Sequence, residues 1–150
     1  MSTEKKPSTG KPPQRDNVVM DFYNDIETGG EEIRSMLLLL INNLSSTDAK
    51  QCSKTAVFYV IARIKESVDE WIERANNFDH SSRIKKSSNL NDFIENQAMG
   101  GNRAAEALTV LMDVYGMATP PCLDNKAVVA MLESIFLDIT KIINLARAAQ

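Results

Sequence analysis

Cysteine, histidine and tryptophan are scarce in this chain: 150 residues hold two cysteines, one histidine and one tryptophan. Cys52 and Cys122 are too few for a disulfide framework. His80 is alone, and no CxxC or HxxxH spacing exists, so no zinc site is expected. Two free thiols in a reducing compartment follow. A Ser-His-Asp or Cys-His device would have to use His80 as its base. Cys52 would lie about seven helical turns from it on the same expected helix, which excludes that pairing. Glycine occurs six times. The pairs Gly29-Gly30 and Gly100-Gly101 lack the Gly-x-Gly-x-x-Gly or P-loop context of a phosphate cradle. No cofactor and no metal are expected.

Long apolar runs are also missing. Met36–Ile41 is uninterrupted and greasy, but a bilayer span needs about 20 such residues. The N-terminus, MSTEKKPSTGKPPQRD, has no apolar segment of a signal peptide. An intracellular, cytoplasmic, soluble protein is expected, and the sequon Asn43-Leu44-Ser45 is read as chance. The net charge of −3 is mild and demands no charged partner. It is unevenly spread. Residues 1–16 hold four cations against two acids, net +2, which leaves −5 for the rest. With Pro7, Pro12, Pro13, Gly10 and several hydroxyl residues, this tail buries too little to offset its ordering entropy, so 1–16 is expected to be disordered.

What is abundant is heptad-like spacing. Ile33, Leu37, Leu40 and Leu44 form one seam. Val57, Ile61, Ile64, Val68, Trp71, Ala75 and Phe78 form a second. A third, Leu90, Ile94, Gln97, Gly101, Ala104, Leu108, Leu111 and Tyr115, carries one polar residue and one glycine. The fourth is Val128, Leu132, Ile135, Ile139, Ile142, Ala146 and Ala149. Such seams belong to helices packed nearly parallel or antiparallel. Strand alternation is absent. Ser45 to Asp48, Ser88 or Asn89, and Asp124 offer helix caps. Thr119-Pro120-Pro121 ends the third helix. Gly100-Gly101 implies either a break or a close approach by a neighbour. The spacing predicts an all-α, antiparallel four-helix bundle of 30–44, 47–79, 89–117 and 124–149. A short helix 17–27, ended by Gly29-Gly30, carries Val18, Val19, Phe22 and Ile26. Residues 17–150 would then be a single domain.

Few residues suggest chemistry. Between the two long helices, His80–Ser88 carries Arg83, Lys85 and Lys86, a possible anion-binding stretch. With the basic tail it allows a nucleic-acid-associated regulator. The loop has no interleaved aromatic for base stacking, and its cations also suit a helix C-terminus. The stretch RANNFDH, Arg74 to His80, resembles the Arg-spacer-His motif of HEPN-family ribonucleases, which are also small helical bundles. The resemblance implies that Arg74 and His80 act on the scissile phosphate and the attacking 2′-hydroxyl across a dimer. The competing reading is a histidine that ends and solvates its helix. Glu66, Asp69, Glu70 and Glu73 read as a solvated face.

The apolar residues that miss the seams carry the main functional expectation. At 100° per residue, Leu38 and Leu39 fall opposite their seam, as do Tyr59 and Leu137, with Leu145 to one side. Burying such a side chain is worth ~1.5–3 kcal/mol, so something should cover them. Helix 17–27, a second copy or a partner helix could do so. The expected function is a non-enzymatic interaction or assembly module, as adaptor, chaperone or oligomeric subunit.

Overall fold

In a computed structural model, residues 14–46, 53–81, 85–117 and 124–150 are described. They form four α-helices: α1 (Gln14–Ser45), α2 (Lys54–Ser81), α3 (Ser88–Tyr115) and α4 (Asn125–Ala149). Consecutive helices pack antiparallel and α4 closes the ring against α1. The contacts are closest between α1 and α4 and between α2 and α3. The four-helix bundle expected from the seams is therefore the fold.

The core follows the four spacings. Ile33, Leu37, Leu40 and Leu44 are buried, with Ile61, Ile64, Val68 and Trp71 from α2, Leu108 and Leu111 from α3, and Leu132 and Ile139 from α4. Serine and aspartate set the starts. Ser53 Oγ accepts from the Ala56 amide at 3.0 Å, so α2 begins later than Ser45–Asp48 suggested. Ser87, one residue before the expected cap, accepts from the Leu90 amide at 3.1 Å. Asp124 caps α4 as expected, accepting from the Lys126 amide at 3.2 Å. The Thr119-Pro120-Pro121 stop lies outside the described residues, as do Cys52 and Cys122.

The two glycine pairs work differently from the first expectation. Residues 17–27 are not a separate helix. They run through Gly29-Gly30 into the rest of α1, and α1 begins at Gln14 rather than after a tail ending at 16. Residues 1–13 lie outside the described residues. Neither glycine has a positive φ. Their use is space. A Cβ on Gly29 would sit 2.8 Å from Trp71 Cδ1, and one on Gly30 would sit 2.7 Å from Ile143 Cγ1. On α3, Gly100 makes room for Ile142 and Gly101 for Ile72, and the helix continues unbroken. Two glycine pairs on diagonal helices thus admit four bulky side chains from the other two at one level of the bundle.

That level also holds the buried polar groups. The Trp71 indole Nε1 donates to the Ile26 carbonyl at 2.8 Å, an approach that glycine at 29 and 30 leaves open. Gln97, fully buried, donates from Nε2 to the Trp71 carbonyl at 3.1 Å. The polar residue in the third seam therefore links α3 to α2, and Trp71 links α2 to α1.

Candidate interaction surface

The first half of α1 docks in cis. Phe22 stacks on Phe78 with centroids 4.0 Å apart, and Tyr23 meets Phe93 edge-on at 4.9 Å. Burial in this cluster pushes the Tyr23 hydroxyl above its ordinary pKa. Arg147 of α4 fastens the same end to α1, reaching Glu31 at 2.6 Å and Glu27 at 3.4 Å. Partial burial works to raise the Glu31 pKa. Hydrogen bonds from Arg147 and Arg34 outweigh it and hold the carboxyl below its usual range.

Because residues 17–27 continue into α1, they cannot fold back over Leu38 and Leu39, the bland cover that the spacing allowed. Leu39 stays 65% exposed and Leu38 47%. Tyr59 and Leu137 are 67% and 65% exposed, and Leu145 38%. The five do not form one patch. Tyr59 projects from α2. Leu145 lines a groove of about 140 Å³ between α3 and α4, beside Met99 and the Arg103–Asp138 ion pair. Across the α1–α4 seam Arg34 lies 5.9 Å over the ring of Phe136, while Leu38 and Leu137 project into solvent from the same two helices.

Exposed apolar side chains concentrate toward one end. The bundle can be divided one turn beyond the glycine level. Residues 35–46, 53–66, 105–117 and 124–137 then make one half. It holds four cations and five acids, net −1. The other half, 17–34, 67–81, 85–104 and 138–150, holds seven cations and twelve acids, net −5. Among the described residues, seven of the eleven large exposed hydrophobics belong to the charge-poor half: Leu38, Leu39, Tyr59, Val60, Val110, Met117 and Leu137. Composition along the chain hides this polarity, since it appears only when antiparallel helices bring distant segments level.

The charged candidates sit in the acidic half. Arg83 lies outside the described residues. Lys86 donates to the Asp79 carbonyl at 2.9 Å and pairs with its carboxylate at 2.7 Å, closing the loop onto the end of α2. Lys85 is exposed. Arg74 and His80 are both exposed on α2. Six residues turn the helix through ~600°, so the two side chains lie about 120° apart around it and ~9 Å along it. Arg74 lines a groove of about 380 Å³ between α1 and α2 together with Asp21, Asp25, Phe22 and Phe78. Among the described residues, no group of three or more His, Cys, Asp or Glu is placed to hold a metal ion. No described helix is long and apolar enough to cross a membrane.

The fold and surface define the class, an up-down four-helix bundle with large apolar side chains exposed on several helices. Comparison with known families, curated proteins and solved structures finds no match.

Proposed function

We propose that the chain is a protein–protein interaction or assembly module that works through exposed apolar side chains of its charge-poor half. The observation that carries this reading is Leu39. It is two-thirds exposed on a helix whose own first half is committed elsewhere. Leaving several large apolar side chains in water forgoes ~1.5–3 kcal/mol each, an arrangement that a partner's surface would redeem. Adaptor, chaperone and oligomeric subunit all fit this description. The nucleic-acid and ribonuclease readings find no comparable support, since Lys86 is tied to Asp79 and Arg74 shares its groove with two aspartates.

The test is substitution on the surface. Leu39→Asp and Leu137→Asp are expected to weaken association by about tenfold or more, because a buried unpaired charge is costly. Circular dichroism and thermal midpoint should stay close to those of the parent. Association that neither substitution alters, in a chain that still folds, contradicts the proposal.

A further inference from the structure

The four helices form two tight pairs. α1 packs most closely on α4, and α2 on α3. Within the first pair, Gly30 admits Ile143, and Arg147 reaches Glu27 and Glu31. Within the second, Gly101 admits Ile72, and Gln97 donates to the Trp71 carbonyl at 3.1 Å. The two seams between the pairs are looser, and each holds a groove. Val18, Phe22, Arg74 and Phe78 line the one between α1 and α2, about 380 Å³. Met99, Gly100, Arg103 and Ile142 line the one between α3 and α4, about 140 Å³.

Chain connectivity decides where the pairs can part. α1 ends and α2 begins at the same end of the bundle where α3 ends and α4 begins. Both segments that join one pair to the other therefore lie at that end. The opposite end holds the start of α1, the finish of α4 and the connection within the α2–α3 pair. Both grooves lie in the half nearest it. Side chains alone close this half. Phe22 stacks on Phe78, and Tyr23 meets Phe93 edge-on at 4.9 Å. The Trp71 indole donates to the Ile26 carbonyl at 2.8 Å, and Arg103 pairs with Asp138 at 3.3 Å. All four contacts cross from one pair to the other. Proteins open in cooperative units, and the boundaries fall where packing is sparsest.

We propose that the bundle opens at this end as two rigid helix pairs, α1–α4 swinging away from α2–α3, and so uncovers Phe22, Tyr23, Phe78 and Phe93. The device is separate from the Leu39 surface and does not rest on it.

Hydrogen exchange of the full chain tests it, because the Ile26 carbonyl accepts two bonds of different kinds. The Gly30 amide donates to it along α1, by the helical i to i−4 pattern. The Trp71 indole donates to it across the seam. Separation of the pairs breaks the second bond and spares the first. The Trp71 indole proton should therefore be protected at least tenfold less than the Gly30, Ile33 and Val68 amides. Two neighbouring substitutions test the choice of pairs. Ile142 fits against Gly100 of the other pair, and Ile143 against Gly30 of its own. Ile142→Val should speed indole exchange about two- to tenfold, the usual cost of trimming a buried isoleucine read as a ratio. Ile143→Val should leave that rate unchanged, because its contact survives the opening. Circular dichroism checks that both variants are folded. An indole proton as slow as the slowest amides overturns the proposal. So does a Gly30 amide that exchanges with the indole, since α1 itself then frays. Equal effects of the two substitutions also overturn it, since the units that part are then not these pairs.

Discussion

At the scale of single residues, the glycine level makes the sharpest demands. Alanine normally gains ~1 kcal/mol over glycine inside a helix. At Gly30 a Cβ would meet Ile143 Cγ1 at 2.7 Å, and at Gly29 it would meet the Trp71 ring at Cδ1, 2.8 Å away. Overpacking of this kind costs ~1–3 kcal/mol, which outweighs the propensity gain. Gly30→Ala and Gly29→Ala should therefore lower stability by about 1 kcal/mol each in chemical denaturation. A rise instead would mean that the helices have room to spare. Gln97 gives a prediction of opposite sign. Its Nε2 has the Trp71 carbonyl, but its Oε1 is buried with no hydrogen-bond partner. An unmet buried acceptor costs ~1–3 kcal/mol, against ~0.5–1.5 kcal/mol gained from the bond it makes. Gln97→Met, nearly equal in volume, should hold or raise the denaturation midpoint. A loss above about 2 kcal/mol would show that the Gln97–Trp71 link outweighs the orphaned oxygen.

At the scale of elements, α1 is where sequence and structure part. The spacings placed the seams correctly except at their ends, where Phe78 and Tyr115 are only partly buried and Ala149 is exposed, because a seam needs only apolar residues at one period. Val57 through Ala75 and Val128 through Ala146 are buried in register with them. The glycine pair was ambiguous, because Gly29-Gly30 reads the same as a helix stop or as room for a neighbour. The deciding partners, Trp71 and Ile143, lie far along the chain, and no local rule brings them near. Continuity is measurable by hydrogen exchange. The amides of Gly29–Glu31 should exchange as slowly as those of Leu37 and Leu40, whereas a break would leave them fast. The clasp between α1 and α4 gives a pH signature. Glu31 ionises more readily in the folded chain than in the unfolded one. Its contribution is therefore full above the unfolded value of ~4.3 and is lost as pH falls through the lower folded value. The thermal midpoint of Glu31→Gln should lie slightly below that of the parent at neutral pH and converge with it in acid. A gap that persists in acid would assign the effect to packing rather than charge.

At the scale of the whole molecule, the candidate surface was only partly legible. Helical periodicity singled out Leu38, Leu39, Tyr59, Leu137 and Leu145 as off-seam, and all five side chains are exposed. It could not show that they point in several directions, or that charge divides along the bundle axis. Both depend on which helices lie side by side and on their antiparallel register. The account's central claim is that the charge-poor half makes protein contact through apolar and neutral groups. Contact of that kind is not screened by salt, whereas contact through Lys85, Lys86 or the basic tail would be. The most direct test is the mass of the full chain by light scattering across a concentration series, at low and at high salt. The account predicts a mass that climbs from 16.7 kDa toward twice that value with concentration, at least as steeply at high salt. Association seen only at low salt, or association that Leu39→Asp and Leu137→Asp both leave unchanged, would contradict it, whereas a mass fixed at 16.7 kDa throughout would confine the contact to unlike partners.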